Sequence, residues 1–373
     1  MIKKLRYLDK TLLFVTILLF IFGLIMVFSS SNVTAYMSHA VGPYYYFVRQ
    51  AVFLGVGFLT FIFMMCFSTK SYGHLSRLLL LICIGALVAL LIYGTAKNQA
   101  ISWFEIGPFS IQPSEFVKVV SIVFLADYYD IYKNKLKGWF ICLYPIGICM
   151  IVAALIFLQP DLGTTTIYAL IVAVIFFAVP VNKEIKLKLF MVGLTFVALA
   201  SFLVFGMGKS LLKERQMERF RIDNPCSRIL DDGNQVCNCY IAINNGGLTG
   251  VGLGNSTQKY LYLPEPYTDF IFAIIVEELG VITGIVLILL YIVVLYRILV
   301  IGRRSKTNRG VVLCYGVAFY IFIHIAVNLL GIMGLIPLTG VPLPFMSYGG
   351  SYTICLIAAL TIVQQVAVES HTE

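Results

Sequence analysis

Four polar groups interrupt an otherwise apolar chain, and each combines residue types and spacing that chemistry could use. Gln112-Pro113-Ser114-Glu115-Phe116-Val117-Lys118 opens a hydrophobic run, with Pro113 suited to a first helical turn. Glu115 and Lys118 stand three apart, so on a helix they share a face and can pair. A lone charge in hydrocarbon costs about 2.5–3.5 kcal/mol on insertion scales. The pair therefore either orients helices or meets a polar substrate directly. Gln159-Pro160-Asp161-Leu162-Gly163 reads as a turn feeding a helix, with Asp161 where the helix dipole favours an anion. Capping alone would also explain it.

The densest group begins at Gly246-Gly247-Leu248-Thr249-Gly250-Val251-Gly252-Leu253-Gly254 and continues through Gln258-Lys259 to Leu263-Pro264-Glu265-Pro266-Tyr267-Thr268-Asp269-Phe270. Such glycine density allows close backbone approach to a ligand or an adjoining helix. No βαβ pattern surrounds it, so the Gly-x-Gly spacing is not a dinucleotide fingerprint. Thr268 and Asp269 read as an N-cap and a first-turn anion. Glu277 and Glu278 follow inside the same apolar run, where ionisable residues are functional candidates by default and packing is a hard explanation. The fourth group is uncharged. Leu335 to Ser351 holds three prolines and three glycines among apolar residues, including Ser347. It suggests backbone re-entering protein-lined depth, or a rigid connector.

The elements that must position these groups are membrane helices. Of 373 residues, 60% are hydrophobic and only 12% charged, against ~25% charged in soluble domains. A soluble globule, a disordered chain, a coiled coil, a secreted disulfide scaffold and a soluble nucleic-acid binder are all excluded. Ten apolar stretches are long enough to cross a bilayer, at about 11–30, 47–67, 75–94, 113–131, 139–158, 163–180, 188–207, 268–296, 311–333 and 348–368. The fold class expected is an all-α polytopic bundle in one membrane domain spanning 1–373, with one long outer loop at 208–267.

Seventeen of the 27 basic residues fall at the termini and in alternate loops, from Lys3, Lys4, Arg6 and Lys10 to Arg297, Arg303, Arg304, Lys306 and Arg309. By the positive-inside rule this face, with both termini, is cytoplasmic. The net +9 is thus topology signal, not a nucleic-acid footprint. Lys209–Ile222 could lie as an interfacial amphipathic helix or simply pack on the outer surface. Cys66, Cys83, Cys142, Cys149, Cys314 and Cys355 read as small core residues. Cys226, Cys237 and Cys239 share the outer loop in odd number, which supports neither a disulfide framework nor zinc.

Taken together, Gln112-Pro113-Ser114-Glu115 with Lys118, Gln159-Pro160-Asp161-Leu162-Gly163, Leu263-Pro264-Glu265 with Thr268-Asp269-Phe270-Ile271-Phe272-Ala273, and Pro342-Leu343-Pro344 with Ser347-Tyr348-Gly349-Gly350-Ser351 resemble the SEDS family of bacterial shape, elongation, division and sporulation proteins. The resemblance runs in order over essentially the whole chain. Glu214 to Arg219 and Asn255 to Lys259 are more similar to division members than to elongation members, and a sporulation member is the near alternative. Pro266-Tyr267 stands where division members commonly carry Ala-His, so no imidazole is assigned a role. Asn238-Cys239 and Tyr352 also depart from the usual Gln-Ser and Ser.

The resemblance implies a peptidoglycan glycosyltransferase that polymerises lipid II on the outer face of the bacterial cytoplasmic membrane, at the division septum. It places Asp269 as general base or as ligand of a divalent metal (Mg or Mn) neutralising a lipid pyrophosphate. Lys259 would add charge stabilisation. Glu265, Glu115, Lys118, Gln112, Asp161, Glu277 and Ser347 are candidates for contact with substrate or for lining its cavity. The rival functions are a lipid II flippase and a scaffold without catalysis. The implied partners are a class B penicillin-binding protein, a single-span transpeptidase, and other division membrane proteins. Gly280 and Gly284 lie four apart and could present a flank for its helix, or pack within the bundle.

Overall fold

A computed structural model describes residues 6–39, 41–97, 100–106, 109–136, 138–179, 181, 184–188, 191, 225–227, 232–260 and 262–372. The chain runs α1 (Lys10–His39), α2 (Tyr45–Met65), α3 (Thr69–Tyr93), β1 (Thr95–Lys97), β2 (Ala100–Ile106), β3 (Phe109–Ile111), α4 (Pro113–Ile131), α5 (Trp139–Phe157) and α6 (Leu162–Ala178). It continues with α7 (Asp232–Gly246), α8 (Ile271–Arg304), α9 (Asn308–Ile332) and α10 (Gly350–Thr372). The fold is that of an all-α integral membrane protein. Among the described residues, seven helices are long and apolar enough to cross a membrane, and α6 is a shorter apolar one. The span expected at 188–207 and the amphipathic stretch at Lys209–Ile222 lie almost wholly outside the described residues.

Burial separates an inner layer from an outer one. α10 is 83% buried over its span window and α9 is 61%, whereas α2 is only 17%. α4 spans the residues expected from sequence and is buried along nearly its whole length, against α3, α6, α9 and α10. This explains how it carries Glu115, Lys118 and Asp127: its charges face protein, not lipid. Asp127 is balanced by Arg309, 2.9 Å away, and Arg77, 3.6 Å away. The outward faces of α1, α2 and α3 instead carry exposed Phe14, Ile21, Phe58, Leu59, Leu81 and Ile82, as lipid-facing helices should.

Several expectations are corrected. A three-stranded antiparallel sheet, β1-β2-β3, fills the connection before α4, pairing Phe104 with Ile111. The segment expected as a long loop contains a helix, α7. Cys226 and Cys237 form a disulfide, and the third cysteine, Cys239, is buried and free, which accounts for the odd number. Cys142, Cys149, Cys314 and Cys355 are buried core residues, but Cys66 is exposed at the end of α2.

α8 is broken. Gly280 has φ 83° and ψ 166°, and the glycine run docks onto the break. The Val251 and Gly252 amides donate to the Glu277 and Glu278 carbonyls at 3.0 and 2.9 Å, and the Val281 amide donates to the Gly247 carbonyl at 2.9 Å. Backbone groups freed inside the membrane must find such partners. A Cβ on Gly280 would strike the Leu248 carbonyl. The Gly280–Gly284 flank is therefore an internal seam, and Gly280 is not open to a partner helix.

Candidate functional site

Asp269 sits in the turn before α8, which begins at Ile271 with Phe270 at its N-cap. Thr268 is accordingly not the cap. Its hydroxyl donates to the Glu265 carbonyl at 2.8 Å, closing a tight turn in which Glu265 adopts φ 48°. That left-handed conformation is strained for a non-glycine residue and recurs at Phe345, φ 67°.

The 335–349 loop grips this turn from the other side. Ser347 Oγ donates to the Thr268 carbonyl at 2.6 Å while accepting from the Leu343 amide at 2.8 Å. The Tyr348 amide donates to the Tyr267 carbonyl at 2.9 Å. Asn328 of α9 donates to the carbonyls of Asp269 and Val341, both at 2.8 Å. Gly340 leaves room beside the carboxylate: a Cβ there would lie 3.4 Å from Asp269 Oδ2. Burial, first, and the neighbouring Glu265 charge push the Asp269 carboxyl up to about 7, with a Thr268 hydrogen bond working the other way.

The sequence candidates resolve into separate clusters. Ser347 and Glu265 join Asp269. Asp161 caps α6, accepting from the Thr164 amide at 3.0 Å and its hydroxyl at 2.8 Å. Gly163 then approaches Thr339, next to Gly340, so this turn braces the same loop. Glu115 and Lys118 pair at 2.8 Å, both buried. Lys118 Nζ also lies 3.1 Å from His324 Nε2, and the His324 ring stacks on Tyr352. Gln112 stands at the head of α4, where its backbone N–H donates to Ser351 Oγ at 3.0 Å.

Lys259 and the two glutamates form another unit. Lys259 Nζ pairs with Glu278 at 2.9 Å and donates to the Gly254 carbonyl at 2.6 Å, fully buried. Glu277 accepts from Ser256, from the Thr257 amide and hydroxyl, and from Asn245. The paired glutamates anchor the segment before α8 to the broken helix. The charge of Lys259 is spent on Glu278.

Comparison with known proteins decides the lineage. The model of the cell cycle protein family FtsW/RodA/SpoVE matches residues 9–372. The chain belongs to the FtsW/RodA/SpoVE family. It is 37% identical over 369 residues to the "Probable peptidoglycan glycosyltransferase FtsW" of Bacillus subtilis, covering 98% of this chain and 92% of that one. It is 36% identical to stage V sporulation protein E of the same organism, covering 96% of each. A solved chain from work on the coordination of polymerization and crosslinking by a peptidoglycan synthase complex has a TM-score of 0.77 at 24% identity, covering 98% of this chain and 99% of its own. RodA of Thermus thermophilus scores 0.68 at 23% identity, covering 98% of each. Those two likenesses establish the FtsW/RodA/SpoVE fold.

Sequence reasoning passed over His324 and Asn328. Their signal was available: two polar side chains four apart in the apolar run of α9, hence on one helix face.

Proposed function

We propose that this chain is a peptidoglycan glycosyltransferase that polymerises lipid II at the outer membrane surface, with ten spans and both termini cytoplasmic, and that it acts at the division septum. The observation that carries the reading is Asp269: a carboxylate two residues before the apolar helix α8, held by backbone clamps from two other elements, with a pKa near neutrality. A general base works best when its pKa lies near the working pH. The acceptor sugar hydroxyl would give its proton to Asp269 while its oxygen attacks the anomeric carbon of the donor. The bond from that carbon to the lipid pyrophosphate breaks, and the pyrophosphate leaves with the electron pair. Relatives named as glycosyltransferases at this level of identity support the same chemistry.

A divalent ion fits only in part. Among the described residues no three His, Cys, Asp or Glu side chains converge on a metal site. Mg2+ commonly uses one or two carboxylates together with substrate phosphates, and Asp269 with Glu265 could provide those carboxylates. An ion so held, Mg or Mn, would supply neutralisation of the leaving pyrophosphate. The crosslinking partner we propose is a class B penicillin-binding protein, supported by the fold shared with the synthase-complex chain.

The test is polymerisation of lipid II by the purified protein with its transpeptidase. Asp269→Asn should abolish product while insertion and thermal unfolding stay unchanged. Full activity in that variant would overturn the assignment. Movement of labelled lipid II across vesicles without polymer would make the protein a flippase instead.

A further inference from the structure

Arg6, Lys10, Arg297 and Arg304 converge on a cavity of about 460 Å3 where residues 6–11 meet the ends of α8 and α10. Its apolar lining is Leu8, Val300, Ile301 and Ala367, which are buried or half-buried. Asp9 is the one acidic lining residue, so the wall carries 4 − 1 = +3. The volume lies within the range of small-molecule sites.

This cavity is built by tertiary contacts. Asp9 caps α1 by accepting from the Leu12 amide at 2.8 Å. Gln364 of α10 clamps the Asp9 backbone in both directions, at 2.9 and 3.1 Å. The Asp9 carboxylate pairs with Arg297 of α8. That pairing occupies the acid. Among the described residues, no carboxylate pairs with Arg6, Lys10 or Arg304.

Orientation alone would account for basic residues on this face, and Lys133, Lys135, Arg303 and Lys306 are indeed spread over it, exposed. It does not require four cations to share one pocket with buried apolar side chains. α1 and α8 pack together beside the cavity and carry exposed apolar stripes along their length, Phe14, Ile17 and Ile21 on one and Leu289, Ile292 and Tyr296 on the other. Inorganic phosphate would use only the cationic rim. A molecule with an anionic phosphate head and apolar tails would use both the rim and the stripes, and basic pockets between membrane helices take such headgroups.

We propose that this cavity binds the headgroup phosphate of an anionic bilayer phospholipid, with Arg6, Lys10 and Arg304 as its cations. The site is independent of the glycosyltransferase reading. The experiment is native mass spectrometry of the full-length protein in detergent, titrated with phosphatidylglycerol, with phosphatidylcholine or with inorganic phosphate. The triple variant Arg6→Gln/Lys10→Gln/Arg304→Gln should retain phosphatidylglycerol about tenfold less well or worse, given the worth of each basic residue near an anionic lipid. The control Arg303→Gln/Lys306→Gln, on the same face outside the cavity, should retain it as the parent does. Equal losses in both variants would overturn the proposal, as would equal retention of phosphatidylcholine. Displacement of the lipid by stoichiometric inorganic phosphate would assign the cavity to the free ion and overturn it too. All five side chains reach the surface, and unchanged thermal unfolding of the variants separates lost binding from lost fold.

Discussion

The side-chain amide of Asn328 holds the backbone of Asp269, donating to its carbonyl at 2.8 Å and to that of Val341 at the same distance. One turn earlier on α9, His324 meets the buried Lys118 at 3.1 Å. A single helix face thus ties the turn carrying the proposed base to the charged pair of α4. Asn328→Leu would leave two carbonyls without a partner, at about 1–3 kcal/mol for each that stays buried. The expected outcome is polymerase activity reduced at least about tenfold, with the acid limb of its pH profile unmoved. Activity at parental level would show that the clamp does not position Asp269.

A base with its pKa near 7 leaves a visible mark on the pH profile. Asp269 must be ionised to accept a proton, so activity should rise with pH through about 7 and be lost as pH falls below it. Glu265 contributes to the upward shift by charge repulsion, so Glu265→Gln should move that acid limb to lower pH. Steady-state polymerisation across pH 5.5–8.5 reads both effects. A limb unchanged by Glu265→Gln would mean that the titrating group is not Asp269.

The helical architecture was legible because apolar runs of bilayer length have few alternative fates. α4 was placed by Pro113 at its start, although its charges set it apart from lipid-facing helices. Glu115 and Lys118 pair as their spacing requires. What the sequence did not disclose depends on contacts distant along the chain. Glu277 and Glu278 looked like functional candidates because their partners, Ser256 to Lys259, lie in a separate segment that packs onto them. Gly280 and Gly284 looked like a helix-packing pair, yet the positive φ at Gly280 is imposed by the docking of Gly247 and Leu248. The β1-β2-β3 sheet was missed since two of its three strands have only three residues, and the disulfide because Cys239 hid the pairing of the other two.

Glu115 and Lys118 test how the charged centre is balanced. Removing one partner of a buried pair leaves an uncompensated charge, costing about 3–5 kcal/mol. Lys118→Met should therefore lower the thermal midpoint of the detergent-solubilised protein, and Glu115→Gln should do the same. The double variant Glu115→Gln/Lys118→Met should be more stable than either single one. Additive losses would show that each residue has a partner more important than the other.

Gly280→Ala and Gly284→Ala probe two positions of the internal seam. At Gly280 both the φ of 83° and the Leu248 carbonyl oppose a side chain, so about 3 kcal/mol of stability should be lost. At Gly284 the nearest atom to a new Cβ is Val276 Cγ2 at 3.0 Å, a side-chain methyl that can shift slightly. Gly284→Ala should be tolerated within about 1 kcal/mol. Thermal unfolding of both variants decides, and equal tolerance would place the glycine-run docking in error.

The Cys226–Cys237 bond links α7 to the segment before it, closing a loop with a sequence separation of 11. Disulfides persist on the oxidising side of the bacterial cytoplasmic membrane, so the bond also tests orientation. In intact spheroplasts a membrane-impermeant phosphine should reduce it, and an impermeant maleimide should then label two cysteines. Cys239, buried, should stay unlabelled until the protein is denatured. Cys226→Ser should cost about 2–3 kcal/mol, the range for a loop of this length. Labelling that appears only after the membrane is breached would turn the long segment, and with it Asp269, to the cytoplasmic side. Lipid II polymerisation at the outer surface could then no longer be this chain's activity.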